Sequence, residues 1–175
     1  MKKTLFMAAL TVMGAMTMMT ACGNNEPEQP QPEQPTAVAS LMSYKLTVSE
    51  ELLGYADILL EYYDENGEVQ REVLKSGAWS KDIKAKLPSK QGIRLTGKKK
   101  DGASAKAAEY ECRYEYYVVK SDDSKSMLGG NSIHGKVGFG TTEKLDVWFA
   151  EMADKLGSVL INFNAKGEAT NGSWD

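Results

Sequence analysis

Residues 109–119 read EYECRYEYYVV, and this stretch decides the fold class. Charged side chains alternate here with tyrosine, cysteine and valine. Because successive side chains of a strand point to opposite sides of a sheet, the alternation predicts a β-strand with one buried face and one face in water. The predicted buried face carries Tyr110, Cys112, Tyr114, Tyr116 and Val118, and the other face carries Glu109, Glu111, Arg113 and Glu115.

The same period of two continues outward from that strand. Residues 42–48 alternate strictly between apolar and polar side chains and predict another strand. The dipeptide Asn66-Gly67 lies between two apolar runs and favours a hairpin turn. Those runs span residues 56–63 and 69–74. Further strands are predicted at residues 83–87, 93–96 and 159–163. Turns are predicted at residues 98–102 and 164–167, and a polar loop is predicted at residues 121–131.

Near the C-terminus the period changes to that of a helix. Thr141 or Thr142 is predicted to cap the start of this helix, and Gly157 follows its end. Two strands in a more regular sandwich are the alternative for this segment. The apolar positions share one helical face, at i, i+3, i+4, i+7 and i+11, and they are Leu145, Trp148, Phe149, Met152 and Leu156.

These patterns together predict a mainly β chain of the α+β type. We expect an antiparallel β-sandwich or curled sheet with one C-terminal helix covering one side or end. Residues 37–175 are expected to form a single β-rich domain, which is long enough to bury a core.

The first 21 residues are predicted to be a signal peptide. Lys2 and Lys3 precede an uncharged apolar run over residues 4–19, which is shorter than the roughly 20 residues needed to span a bilayer. Residues 19–22, MTAC, resemble the lipobox of bacterial lipoproteins. The resemblance implies cleavage before Cys22, acylation of its sulfur with diacylglycerol and, usually, acylation of the new amino group. An ordinary signal peptide with Cys22 left as a free thiol is the alternative.

Residues 22–36 are predicted to be the lipidated cysteine followed by a tether. Four of the five prolines lie here with Gln and Glu between them, so the segment favours an extended polyproline II conformation. At about 3.1 Å per residue, the tether reaches roughly 40 Å. As a whole the chain resembles small lipoproteins of the Bacteroidota type. Gly23, rather than Asp, follows the lipid cysteine, which favours the outer membrane and leaves the side of that membrane open.

The charge of the chain excludes one class of partner. The formal net charge is −3, becomes −5 without Lys2 and Lys3, and leaves the domain near −2 once the three tether glutamates are subtracted. Nucleic-acid binding requires a basic face, so no nucleic acid is expected as a partner.

No motif in the domain predicts a metal site, a cofactor or a catalytic centre. The glycine-rich residues 135–142 lack the lysine of a phosphate loop and are predicted to be a flexible connection between a strand and the helix. His134 and Cys112 are the single histidine and the single domain cysteine, which are too few for zinc. The lone Cys112 also leaves the domain without an internal disulfide.

Two carboxylates are the candidates for hydrolysis. Glu109 and Glu111 lie two residues apart on one strand face, an arrangement that could suit glycosidase chemistry. Arg113 on the same face indicates an ordinary wet surface instead.

Aromatic side chains are the candidates for ligand binding. Trp79, Tyr63 and Tyr117 have no clear place on a core face, and exposed Trp and Tyr on β-sandwiches can stack on sugar rings. Packing in the core or at a sheet edge is the alternative for Trp79 and Tyr63. Tyr55 and Trp174 are also unassigned, and Trp174 is expected to be poorly ordered because it lies next to the C-terminus.

The sequence therefore predicts a membrane-anchored extracytoplasmic lipoprotein that acts as a non-enzymatic binding or assembly module. The membrane is contacted through lipid on Cys22, and a protein or a glycan is the expected partner. A carbohydrate-binding surface lipoprotein is the first alternative, and a carboxylate-dependent hydrolase is the second.

Overall fold

The computed structural model describes residues 33–174. The predicted signal peptide, Cys22 and the tether up to residue 32 therefore lie outside the described residues. Within residues 33–174, none of the helices has the length and apolar character required to cross a bilayer. The elements of this range are β1 (Ala37–Val48), α1 (Glu50–Tyr55), β2 (Ala56–Tyr63), β3 (Val69–Val73), β4 (Ala78–Lys86), β5 (Ser89–Lys99), β6 (Ala107–Lys120), β7 (Lys125–Gly138), α2 (Thr142–Met152), a 3₁₀ turn (Ala153–Lys155), β8 (Gly157–Phe163) and β9 (Ala169–Asn171).

The strands form two open antiparallel sheets. Sheet A has the order β4-β1-β6-β7, and sheet B has the order β3-β2-β5-β8-β9. Hairpins join β2 to β3, β6 to β7 and β8 to β9 within one sheet, and the other connections cross between the sheets. The predicted fold class is confirmed, since the chain is a mainly β, sandwich-like structure with a C-terminal helix.

The core lies between the two sheets, where the alternation in the sequence places it. The apolar positions of residues 42–48 and the first part of the 109–119 stretch face inward, and their charged neighbours face outward. Each fully buried large side chain stabilises the fold by roughly 1.5–3 kcal/mol. This core includes Met42, Tyr44, Leu46 and Val48 from β1, Ile58, Leu60 and Tyr62 from β2, Ile93 and Leu95 from β5, and Tyr110 and Cys112 from β6.

Two hairpin turns of the same design close sheet B. In the first, Asp64 Oδ1 accepts hydrogen bonds from the backbone N–H groups of Asn66 and Glu68, both at 2.9 Å. Gly67 adopts the positive φ of +80° that this turn requires, which glycine reaches without a steric cost. Residues 164–168 repeat the arrangement between β8 and β9. Both predicted turns are confirmed.

The predicted loop at residues 121–131 is wrong for most of its length. Only the turn around residues 121–124 lies outside regular structure, and the chain then enters the 14-residue strand β7. The predicted flexible connection at residues 135–142 is also wrong at its start, because β7 continues to Gly138. In both segments glycines, which are common in loops, lie within a regular strand.

The glycines of β7 instead admit aromatic rings from the neighbouring strand. Gly135 pairs with Tyr110, and Gly129 pairs with Tyr116. A Cβ atom on Gly135 would lie 2.5 Å from the Tyr110 ring, and a Cβ atom on Gly129 would lie 2.4 Å from the Tyr116 hydroxyl. Both distances are well inside contact distance. These positions therefore need glycine for close packing rather than for an unusual backbone conformation.

Two other boundaries differ from the prediction. The strands predicted at residues 83–87 and 93–96 are cores of the longer strands β4 and β5, so Lys98 and Lys99 belong to β5 rather than to a turn. The short helix α1 was not predicted. Its start is capped by Ser49, whose Oγ accepts from the Leu52 backbone N–H at 3.3 Å.

The predicted C-terminal helix is confirmed as α2, and the alternative of two strands is excluded. Thr141 is the capping residue, since its side chain accepts from the Lys144 backbone N–H. Leu145 and Phe149 are buried in the core, as their helical face predicts. Residues 153–155 extend the helix as a 3₁₀ turn before Gly157 begins β8.

Candidate functional site

Trp79 lies inside the sandwich rather than on an exposed patch. It pairs with Leu46, whose side chain is in the core, and directly opposite residues of an antiparallel pair share one face. Its ring centroid lies 6.2 Å from that of Tyr44 and 5.6 Å from that of Tyr62. Trp79 is half-buried and packs against the core, which agrees with the alternative prediction for this residue rather than with an exposed binding patch.

Tyr117 and Tyr63 lie on the outer faces of different sheets. Tyr117 pairs with Leu41 on the outside of sheet A, and its hydroxyl donates to Glu115. Tyr63 follows the buried Tyr62 along β2 and so points to the outside of sheet B. Trp79, Tyr63 and Tyr117 therefore occupy three different layers, and the structure does not bring them together. Tyr55, the other unassigned tyrosine, is completely buried.

Trp174 is held firmly against the outside of sheet B. Its indole Nε1–H donates to the Val159 carbonyl at 2.8 Å. Its ring centroid lies 4.9 Å from the ring of Tyr63, and the Arg94 guanidinium lies 5.2 Å from the Trp174 ring. The expectation that Trp174 is poorly ordered is therefore wrong, because a hydrogen bond and two ring contacts fix it.

A carboxylate between two arginines fixes the position of Arg94. Glu61 lies on β2, directly between Arg71 on β3 and Arg94 on β5. Arg71 Nε contacts Glu61 Oε1 at 2.6 Å, and Arg94 Nε contacts Glu61 Oε2 at 2.7 Å. Burial alone would raise the pKa of Glu61, but the hydrogen bonds and positive charges of the two arginines outweigh burial and lower that pKa.

An open cleft of about 590 Å³ lies alongside the first half of β8. This volume is within the range of small-molecule sites in proteins. Trp174 and Arg94 line one part of it, and the 3₁₀ turn and the end of β9 line the rest. Besides Trp174, the lining residues with polar side chains are Arg94, Tyr114, Asp154, Lys155, Ser158, Asn171 and Ser173.

Several polar side chains of this cleft have no partner among residues 33–174. Asp154, Lys155 and Asn171 make no side-chain hydrogen bond or ion pair there, and the Tyr114 hydroxyl makes none either. Burial, and to a lesser extent the nearby Tyr116 and Cys112 groups, raises the pKa of Tyr114, so its hydroxyl remains a neutral donor. The cleft therefore offers a carboxylate, an ammonium, an amide and a phenol to a ligand.

The outer face of sheet A differs, because its charged groups bind one another. Lys136 Nζ lies 2.8 Å from Glu109 Oε1, and Arg113 Nε lies 2.9 Å from Glu111 Oε1. The hydrogen bond from Arg113 is the main cause that lowers the pKa of Glu111. A glycosidase general acid needs a raised pKa, so the geometry of these carboxylates does not favour hydrolysis.

Metal ligands do not converge in the part of the chain that the structure describes. Among residues 33–174, no three His, Cys, Asp or Glu side chains are placed to hold a metal ion. His134 is exposed on β7, and Cys112 is buried in the core on the neighbouring strand.

The sequence contained no local signal for the cleft. Its lining comes from β5, β6, the 3₁₀ turn, β8 and the C-terminal segment, and β5 and β6 are far from the others along the chain. The nearest signal was Trp174, an aromatic residue just beyond a predicted strand and turn, but only the folded sheet brings Arg94 beside it.

Comparison of the chain with protein-family models, with curated proteins and with solved structures returned no match.

Proposed function

We propose that this protein is an extracytoplasmic lipoprotein, anchored through lipid on Cys22 in the outer membrane, that acts as a non-enzymatic binding or assembly module. The anchor is supported by the lipobox-like residues 19–22 and by the proline-rich tether. The binding role rests on one observation, the cleft beside β8 in which the side chains of Asp154, Lys155, Asn171 and Tyr114 make no hydrogen bond or ion pair with residues 33–174. Unpaired polar groups converging in a concave site are typical of ligand-binding sites.

The anchor is tested by replacing the lipid-bearing cysteine in cells of the native or a related bacterium. Cys22→Ser is expected to move the protein from the membrane fraction to the soluble fraction, because only two or three acyl chains hold a protein durably on a bilayer. Cys112→Ala is the matched control and should leave the protein in the membrane fraction. Membrane retention of Cys22→Ser, together with a bare Cys22 in the mass spectrum of the wild-type protein, would overturn the anchor.

Carbohydrate binding is the second candidate, and the composition of the cleft favours it. Trp174 and Tyr114 supply aromatic surface, and Lys155 and Asn171 supply hydrogen-bonding groups beside it. Sugars present apolar ring faces and polar edges, so this combination suits them. The residues that carry this proposal differ from Trp79 and Tyr117, which lie elsewhere in the fold.

The cleft is tested with the mature chain on a glycan array and by capture of envelope proteins. Lys155→Ala and Asn171→Ala are each expected to weaken binding by about tenfold, since each removes a hydrogen-bonding group worth roughly 1.4 kcal/mol. Tyr117→Ala, on the other sheet, is the control and should bind as the wild type does. Binding that is unchanged in both cleft variants, or absent for glycans and envelope proteins alike, would refute the proposed site.

A further inference from the structure

The two edges of sheet A are protected to very different degrees. The edge strand β4 carries Lys81, Asp82, Lys84 and Lys86 within nine residues. The edge strand β7 has a bulge beside Leu128, and the ten residues after it, GGNSIHGKVG, contain one lysine. Charges and bulges keep edges from pairing with other strands, so residues 129–138 form the unprotected edge.

The geometry of β7 identifies the backbone groups that face away from the sheet. The Phe139 N–H donates to the Lys106 carbonyl at 2.8 Å, so position 139 is hydrogen-bonded to the β6 side. Backbone groups of an antiparallel strand alternate between its two neighbours. The N–H and C=O groups of Gly130, Ser132, His134 and Lys136 therefore point to the open edge. The Ser132 N–H donates to Asn131 Oδ1 of the same strand at 2.8 Å, so strand pairing would replace this local hydrogen bond.

We propose that two copies of this chain pair through β7, antiparallel and centred on Ile133, to form one continuous eight-stranded sheet. This register places His134 opposite Ser132 and Lys136 opposite Gly130 of the second copy. It joins the outward-facing groups of both strands by about eight hydrogen bonds. The inference goes beyond the proposed function and does not depend on it.

Charge and packing favour this pairing of identical edges. No lysine meets a lysine in the register, and Gly130, which lacks a side chain, has Glu115 as its partner on β6. Lys136 of the second copy, which contacts Glu109 of its own copy at 2.8 Å, therefore also has Glu115 across an open position. Ile133 is half-buried and points to the core side, so the two Ile133 side chains would extend the apolar layer.

The tether of the same chain is a poorer occupant of this edge. Its four prolines, at Pro27, Pro30, Pro32 and Pro35, each lack the N–H that strand pairing needs. At most two consecutive residues between them have free N–H groups, which cannot form a regular ladder. A second copy of β7 brings ten residues without proline.

Sedimentation velocity of the mature chain with Cys22→Ser, which removes the lipid, measures the pairing across the micromolar range. We expect a concentration-dependent dimer. His134→Pro removes one outward N–H from each copy and should raise the dimer dissociation constant by about tenfold or more. Ser80→Pro is the matched control, because Ser80 has the equivalent outward position on the β4 edge, and it should dimerise normally.

A pair of charge variants tests the register without proline. Ser132→Lys with His134→Lys places lysine opposite lysine and should give a monomer, whereas Ser132→Lys with His134→Glu places opposite charges together and should restore the dimer. Both variants change only the outer, solvent-facing side of β7, so circular dichroism should show an unchanged fold. A wild-type protein that stays monomeric throughout, or a dimer that is insensitive to both double variants, overturns the proposal.

Discussion

At the scale of single residues, Glu61 is the charged side chain that is buried among residues 33–174. It lies on the outer face of sheet B, yet it is only 5% exposed because Arg71 and Arg94 cover it. The two arginines are not equivalent, since the Arg71 side chain is 69% exposed and that of Arg94 is 32% exposed. The Arg94 contact is therefore the less screened one, and it also places Arg94 against Trp174 at the cleft.

Glu61 is expected to make folding stability depend on pH. Its pKa is lower in the folded state than in the unfolded chain, so its stabilising contribution is fully present above the unfolded value and is lost as pH falls through the folded value. Glu61→Gln should lower the free energy of unfolding at pH 7 by about 1–3 kcal/mol, and by less at pH 3. Urea titrations at both pH values measure this difference, with Glu65→Gln in an exposed turn as the control. An equal loss at both pH values would contradict the assignment.

At the scale of elements, the sequence pattern did not reveal β7 or the three-residue strand β9, and β7 is the longer of the two. Period-two patterns identify a strand when large apolar side chains alternate with polar ones. In β7 the inward positions include Gly129 and Gly135, because the tyrosines of β6 fill the space that larger side chains would occupy. The strand is thus specified by its neighbour. By contrast, α2 was predictable because its apolar face lies within one local segment.

Alanine substitutions in β7 should distinguish a glycine that packs against an aromatic ring from a glycine with open space beside it. Gly135→Ala is expected to lower the free energy of unfolding by about 1–3 kcal/mol, because the new methyl group meets the Tyr110 ring. That ring cannot easily move, since Tyr110 is buried and its hydroxyl donates to the Leu156 carbonyl at 2.6 Å. Gly138→Ala has no atom within 4 Å of the added carbon and should be neutral or slightly stabilising. Equal effects in urea titrations would refute the packing role of Gly135.

At the scale of the whole molecule, the described domain is held together by its core without a covalent cross-link. Cys112 is the free cysteine of residues 33–174, and it is completely buried between the sheets. Burial raises the pKa of its thiol to about 12. Thiolate is the reactive form, so the native fold protects this group in two ways.

Cys112 should therefore react with thiol reagents only when the domain opens. In a Cys22→Ser background, labelling of the native protein at pH 8 is expected to be slow, and labelling in urea is expected to be complete and fast. Gly135→Ala should accelerate native-state labelling in proportion to its change in the unfolding equilibrium constant. The melting temperature should be the same with and without reductant. Fast labelling of the stable wild-type protein would show that Cys112 is accessible without unfolding.

The sequence by itself determined most of the alternating strands, the turns at residues 64–68 and 164–167, and the helix, whose cap it narrowed to Thr141 or Thr142. Each of these depends on side chains that are close together along the chain, so periodicity and turn chemistry report them directly. Only the tertiary structure decided that Trp79, Tyr63 and Tyr117 lie in different layers, that Gly135 belongs to a strand, and that Trp174 meets Arg94 beside the cleft. These relations join residues from distant segments, and the pairing of the sheets, which no local pattern encodes, brings those segments together.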